Sequence, residues 1–166
     1  MFKHSTCLLL ALAAGITFIT PATSYPWHAS CKITFRFPEH RCVVVSEKLA
    51  HQITLWKGTD CGDGGGVHQR CRYALVTESS QMLTATHTTP LKKYIDDLTM
   101  SFEQLDDGGC NVAGFSTSQV WYAVLDMGTN YCNLHNLVEG TGLSPVSEET
   151  EDSVCTQYTS ADCDRY

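Results

Sequence analysis

The stretch from Leu83 to Cys132 reads LTATHTTPLKKYIDDLTMSFEQLDDGGCNVAGFSTSQVWYAVLDMGTNYC, and its alternation decides the fold. Side chains of a strand point to opposite faces in turn. Leu83, Ala85 and His87 therefore share one face of a strand over Leu83–Thr89, with Thr84, Thr86 and Thr88 on the other, and Pro90 ends it. A second strand runs over Tyr94–Gln104. Counting back from Leu98, Met100 and Phe102, its apolar face also carries Asp96 and Tyr94, while Asp97 points the other way with Thr99 and Ser101. Asp106-Asp107-Gly108-Gly109 is a hairpin turn, after which Cys110–Ser116 returns as a further strand. Ser118–Leu125 (SQVWYAVL) is apolar without clean periodicity and is read as a buried strand in preference to a short helix.

Upstream, Lys32–Phe37 alternates with Ile33, Phe35 and Phe37 on one face, and Pro38 closes the strand. Val43–Lys57 carries Val45, Leu49, Ile53 and Trp56 at helical spacing, one apolar stripe, with Gly58 as the stop. Burying each of these side chains stabilises a fold by roughly 1.5–3 kcal/mol before entropy is counted, so the stripe is core packing. Arg72–Glu78 is another strand, with Tyr73, Leu75 and Val76 as candidates for burial. Downstream, a short helix is expected around Cys132–Val138, and the chain then turns polar and acidic, with Glu148, Glu149, Glu151 and Asp152 clustered. Sequential strands pair with their neighbours. The expected fold is α+β: an antiparallel β-sheet packed against one main amphipathic helix and stapled by disulfides.

The N-terminus has the pattern of a secretory signal peptide. Lys3 supplies the charge, Leu8–Ile19 the apolar core, and Ala22 and Ser24 the small residues before cleavage. The apolar run is shorter than the ~20 residues of a spanning helix, and no later stretch could cross a bilayer. The sequence thus divides into a signal peptide over 1–24, a single α+β domain over 25–143 and an acidic tail over 144–166 with its end tied by disulfides. Cleavage removes Cys7 and leaves eight of nine cysteines: Cys31, Cys42, Cys61, Cys71, Cys110, Cys132, Cys155 and Cys163. An even count in a secreted chain implies four disulfides, in any of 105 pairings. Cys155 and Cys163 could bond each other or tie the tail to the body. No C-x-x-C pair is present to suggest structural zinc.

Loss of Lys3 leaves ten basic residues against eighteen acidic ones, a net charge of −8. That balance argues against nucleic acid, which needs a basic patch, disfavours anionic membrane surfaces, and suits solubility, cations or basic partners. The glycine-rich loop Cys61–His68 lacks the lysine and Ser or Thr of a phosphate loop. Asp60, Asp63 and His68 could touch a metal there, but the spacing is not that of a calcium loop. His28, His40, His51 and His135 are scattered, with no H-E-x-x-H. No cofactor or resident metal is expected, and the partner is an extracellular protein or a small ligand.

Tyr94-Ile95-Asp96-Asp97-Leu98, then Ser116 and Ser118, then Asp126, Gly128 and Asn130 follow an order that resembles the domain-of-unknown-function family 1499. The similarity covers about 40 residues. Arginines that accompany the serine and asparagine segments in that family are replaced here by Gln119 and by Cys132-Asn133. The mature chain also looks like uncharacterised secreted animal proteins, especially at Cys132–Leu137 and the closing Cys-Thr-Gln-Tyr segment. Neither resemblance implies an activity.

Asp96 is the sharpest candidate for a site, with Asp97, His87, Asp126 and Asn130 around it. A carboxylate facing a core must be compensated, or its pKa rises. A coupled Asp96 and His87 would suit acid–base work; alternatively, Asp96 accepts backbone amides of the Asp126–Asn130 loop and fixes its shape. Gly114–Ser118 is not a nucleophile elbow, since Ser118 stands at its final glycine and the segment lies in a hairpin. Three functional readings follow. The first is a secreted binding or interaction protein, with room for a small apolar ligand between helix and sheet. The second is an acidic matrix or mineral-associated protein, and the third a small hydrolase using His87 and Asp96.

Overall fold

The computed structural model describes residues 28–61, 70–143 and 147–164. The expected signal peptide, the glycine-rich loop with Asp63 and His68, and the end of the tail at Arg165 lie outside those residues. The first strand, β1 (Ser30–Phe37), leads into helix α1 (Cys42–Leu55). Four strands follow: β2 (Tyr73–Glu78), β3 (Met82–Thr88), β4 (Ile95–Gln104) and β5 (Cys110–Ser118). Helix α2 (Thr129–Gly140), a short strand β6 (Ser147–Glu149) and a single 3-10 turn over Tyr158–Ser160 complete the order.

The strands form one antiparallel sheet in the order β2-β3-β4-β5-β1-β6. Strands β2 to β5 are a meander, as sequential pairing requires. β1 then lies against β5 with Phe35 opposite Val112 and Phe37 opposite Cys110. Alternation holds along the central strands: Cys31, Ile33, Phe35 and Phe37 of β1 are buried, as are Asp96, Leu98 and Met100 of β4. The expected α+β architecture is therefore present.

Both helices cover one face of the sheet, α1 over β2, β3 and β4, and α2 over β5 and β1. Val45, Leu49 and Ile53 of α1 are wholly buried with Phe35, Leu83, Leu98 and Met100. The space between α1 and the sheet is thus filled by the protein's own side chains. On α2, Leu134, Leu137 and Val138 join the same core.

Disulfides tie the layers together: Cys42–Cys110 fastens the start of α1 to β5, and Cys61–Cys71 closes the loop that precedes β2. Cys31–Cys155 and Cys132–Cys163 bind the tail to β1 and α2, which decides between the two arrangements open to Cys155 and Cys163. No helix among the described residues is long and apolar enough to cross a membrane.

Two expectations are corrected. β2 is an edge strand with a bulge between Leu75 and Thr77, and only Tyr73, next to the end of α1, is buried; Leu75 and Val76 face solvent. The apolar run after β5 is not a strand. β5 ends at Ser118, and residues 119–128 form an irregular connection to α2.

Candidate functional site

Asp96 faces the core from β4 and is only 3 % exposed. Its cross-strand neighbour on β3 is His87, which is fully buried. Side chains of directly opposed residues lie on one face, so the sheet does bring these two candidates together. Their surroundings come from α2. Asn133 Nδ2 donates to Asp96 Oδ2 at 2.9 Å and to Ser116 Oγ at 3.3 Å, and Ser116 Oγ donates to Asn130 Oδ1 at 2.6 Å. Tyr73 completes the layer. Its hydroxyl donates to the Asn133 carbonyl at 3.0 Å, and its ring lies 4.6 Å from that of His87.

Burial pushes the Asp96 carboxyl above the usual carboxylate range, and hydrogen bonds from Asn133 and Ser118 pull it back in part. Burial, together with the Asp96 charge, raises the Tyr73 phenol. The acid–base reading requires a substrate within hydrogen-bond reach of Asp96 or His87, or one water away. Tyr73 lies against the His87 ring, and Asn133 sits on the Asp96 carboxylate.

Asp126 organises the neighbouring loop. Its Oδ1 accepts the Gly128 amide at 3.1 Å, and its Oδ2 accepts both the Asn130 amide at 3.0 Å and Asn130 Nδ2 at 2.7 Å. A carboxylate at this place satisfies amides left over at the start of α2 and opposes the positive end of the helix dipole. Burial raises its pKa, against the pull of those bonds from Asn130 and Gly128. Gly128 has φ +77°, and a Cβ there would collide with Ala161 Cβ, so only glycine fits. The expectation that Asp96 fixes the Asp126–Asn130 loop by accepting its amides is corrected: Asp126 does this from within the loop, and Asp96 takes side-chain donors from α2 and β5. Asp97 stands apart on the solvent face, where Gln119 Nε2 donates to it at 2.8 Å.

The connection over residues 119–128 is fastened on every side. The Gln119 amide donates to the Ile95 carbonyl at 2.8 Å, and the Ala29 amide to the Ala123 carbonyl at 2.7 Å. His28 Nε2 donates to the Val120 carbonyl at 2.9 Å. From the tail, Gln157 Oε1 accepts the amides of Asp126 and Met127 at 3.0 and 2.7 Å. Yet the large apolar side chains of this segment point outward: Trp121 is 83 % and Leu125 70 % exposed, with Tyr122 and Val124 also in solvent.

A second polar cluster joins α2 to β6. Glu148 accepts hydrogen bonds from His135 Nδ1 at 2.7 Å and from the Tyr131 hydroxyl at 2.8 Å. Tyr131 and His135 line a shallow groove of about 310 Å³ with Ala161, Asp162, Cys163 and Asp164. Elsewhere in the acidic segment, Asp152 accepts the Thr159 amide and hydroxyl, and Glu151 accepts the Ser153 hydroxyl. Among the described residues no group of three or more His, Cys, Asp or Glu side chains is arranged to hold a metal ion.

Sequence reasoning misses Asn133, Ser118 and Tyr73 as partners of Asp96. A signal exists in the spacing of Asn130, Asn133 and Asn136, which places three amides on one side of α2, and all three are buried. Comparison with family models, with curated proteins and with solved structures gave no match. Asp96, Ser116, Ser118, Asp126 and Asn130 meet in the polar layer and loop just described.

Proposed function

We propose that this protein is a secreted, disulfide-stapled interaction protein that binds through its surface and catalyses nothing. One observation carries the reading: residues 119–128 hold large apolar side chains in water on a backbone anchored from β4, the start of β1, α2 and the tail. Contiguous exposed apolar groups on a soluble domain mark sites of interaction, and a loop already fixed in shape loses little entropy on binding. The buried layer of Asp96, Asn133, Ser116 and Asn130 supports this as a foundation that sets the seat of α2 and, through Asp126, the shape of the loop. Four disulfides and the leader pattern support an extracellular setting. The filled space under α1 favours a surface partner over a small ligand between helix and sheet. The internal partners of Glu148, Glu151 and Asp152 favour it over a mineral-binding tail.

The test is expression in a eukaryotic secretory host. The mature chain is expected eight hydrogens lighter than its reduced form, with the Trp121→Ser/Leu125→Ser variant within about 0.5 kcal/mol of wild-type stability. Wild type is expected to stay with the surface of the secreting cells and the variant to pass into the medium. Free thiols, equal release of both proteins, or a loss of stability as large as that of a core substitution would overturn the reading.

A further inference from the structure

We infer that the partner of this surface is a phospholipid membrane with anionic headgroups, an inference that rests on the interaction reading above. The exposed groups of residues 119–128 are not alone at their end of the sheet. The β3–β4 turn reaches the same end, because β4 starts at Ile95, whose carbonyl accepts the Gln119 amide at 2.8 Å. That turn carries Leu91, 79 % exposed, and Tyr94, also in solvent, with Lys92 and Lys93 between them. The end of the molecule thus combines two aliphatic tips, Leu91 and Leu125, with Trp121, Tyr122 and Tyr94, and adds two adjacent lysines.

Three features favour a lipid surface over another protein. Trp and Tyr are the side chains that settle at the boundary of headgroups and acyl chains, where an apolar body and a polar tip are both accommodated. Lys92 and Lys93 complement anionic headgroups although the chain as a whole is acidic, and attraction of this kind acts within a Debye length of the surface. Gln119–Leu125 itself contains no charged residue, the acidic groups Asp97 and Asp126 standing at its borders.

Main-chain hydrogen bonds brace the bases of both loops. In the β3–β4 turn the Thr89 amide donates to the Tyr94 carbonyl at 2.8 Å, the Lys93 amide to the Thr89 carbonyl at 3.2 Å and the Tyr94 amide to Thr89 Oγ1 at 2.9 Å. In the longer loop the Ala123 amide donates to the Val120 carbonyl at 2.9 Å, while the Val120 and Ala123 carbonyls accept from His28 and Ala29. Apolar tips plus a small basic pair give reversible attachment rather than permanent anchoring.

The experiment is sedimentation of the oxidised, secreted protein with vesicles of phosphatidylcholine, alone or mixed with phosphatidylserine. Wild type is expected to bind the mixed vesicles at millimolar lipid and neutral vesicles more weakly. Trp121→Ser/Leu125→Ser is expected to weaken binding by at least about tenfold on both. Lys92→Glu/Lys93→Glu is expected to bring mixed vesicles down to the neutral level, as is high salt. All four positions are on surface loops, and an unchanged thermal midpoint shows that each variant is folded. Wild type that stays in the supernatant at millimolar lipid overturns the inference, as does an apolar variant that sediments like wild type. If such a protein is still retained by cells, its partner is a protein, and only the membrane inference falls. If it has free thiols or is released from cells like the variant, the interaction reading has failed as well.

Discussion

The two helices sit on the same face of the same sheet, yet their seats differ in kind. Under α1 the contact is apolar, with Val45, Leu49 and Ile53 against Leu83, Leu98 and Met100. Under α2 an apolar edge of Leu134, Leu137 and Val138 lies beside a polar layer in which Asn130 and Asn133 reach Ser116 and Asp96. Apolar packing is strong but non-directional. Hydrogen bonds between buried side chains fix position, because each group left unmade carries its full desolvation cost. The first seat contributes stability, and the second sets where α2 stands along the sheet. The helix with the fixed position is also the one that continues from the exposed loop.

Three substitutions would break or sharpen that contrast. The largest effect is expected from Leu49→Ala, which leaves a cavity in the apolar seat and should cost about 2–5 kcal/mol in denaturant unfolding, equally at pH 7 and pH 4. Next is Asn133→Ala, expected to cost about 3 kcal/mol at pH 7, because it strips a buried carboxylate of its amide donor. Its sign with pH separates it from Leu49→Ala. Burial already raises Asp96 above its ordinary 3.8, and loss of the donor raises it further. The ionised form is then the penalised one, so the deficit is greatest above the folded pKa and shrinks as pH falls toward 3.8. A deficit that stays constant with pH would mean that Asn133 acts by shape alone, and the two seats would not differ in the way described.

The smallest effect belongs to the rim of α2, where Glu148→Gln should cost no more than about 1 kcal/mol, since the pair with His135 is partly open to solvent. The hydrogen bond and charge of Glu148 raise His135 above 6.5, so that part is present below 6.5 and is lost as pH rises through the folded pKa. Burial raises Glu148, but His135 and Tyr131 outweigh it and hold the carboxyl below 4.5, so its part is present above 4.5 and is lost as pH falls through the folded value. The difference between wild type and Glu148→Gln in thermal unfolding should therefore peak between pH 4.5 and 6.5. A difference that keeps growing toward pH 9 would show that the contact is a neutral hydrogen bond.

The sheet was legible where one face is buried and the other wet. The strands at Lys32, Leu83, Tyr94 and Cys110 follow from alternation, and the burial of Asp96 with Leu98 and Met100 follows from counting along one of them. The pattern misleads at Ser118–Leu125, because hydrophobicity reports a tendency toward burial in any apolar surroundings. A segment that keeps its apolar groups in water reads the same as a core strand. Leu75 and Val76 mislead likewise, since burial of β2 depends on how far α1 extends over the edge, which is a matter of packing. The proximity of His87, Asp96, Asp126 and Asn130 was half visible: strand order put the first two together, but Asn133 enters only through the placement of α2. Pairings of the eight cysteines were open among 105, because connectivity depends on where distant segments meet.

β6 covers only three residues of β1, opposite Thr34, Phe35 and Arg36, and the Cys31–Cys155 bridge lies beyond them on the same strand. Without them, β1 would be the outermost strand of a regular sheet, alternating and eight residues long, the kind of open edge that recruits strands from other molecules. The cover stands far downstream, the bridged cysteines being 124 positions apart. During synthesis β1 thus emerges early, and its guard arrives only once the segment bearing Cys155 has been made. Until then Cys31 is a thiol on an unguarded edge. Molecules stalled before Cys155 would expose both features together, a sticky strand and a reactive sulfur.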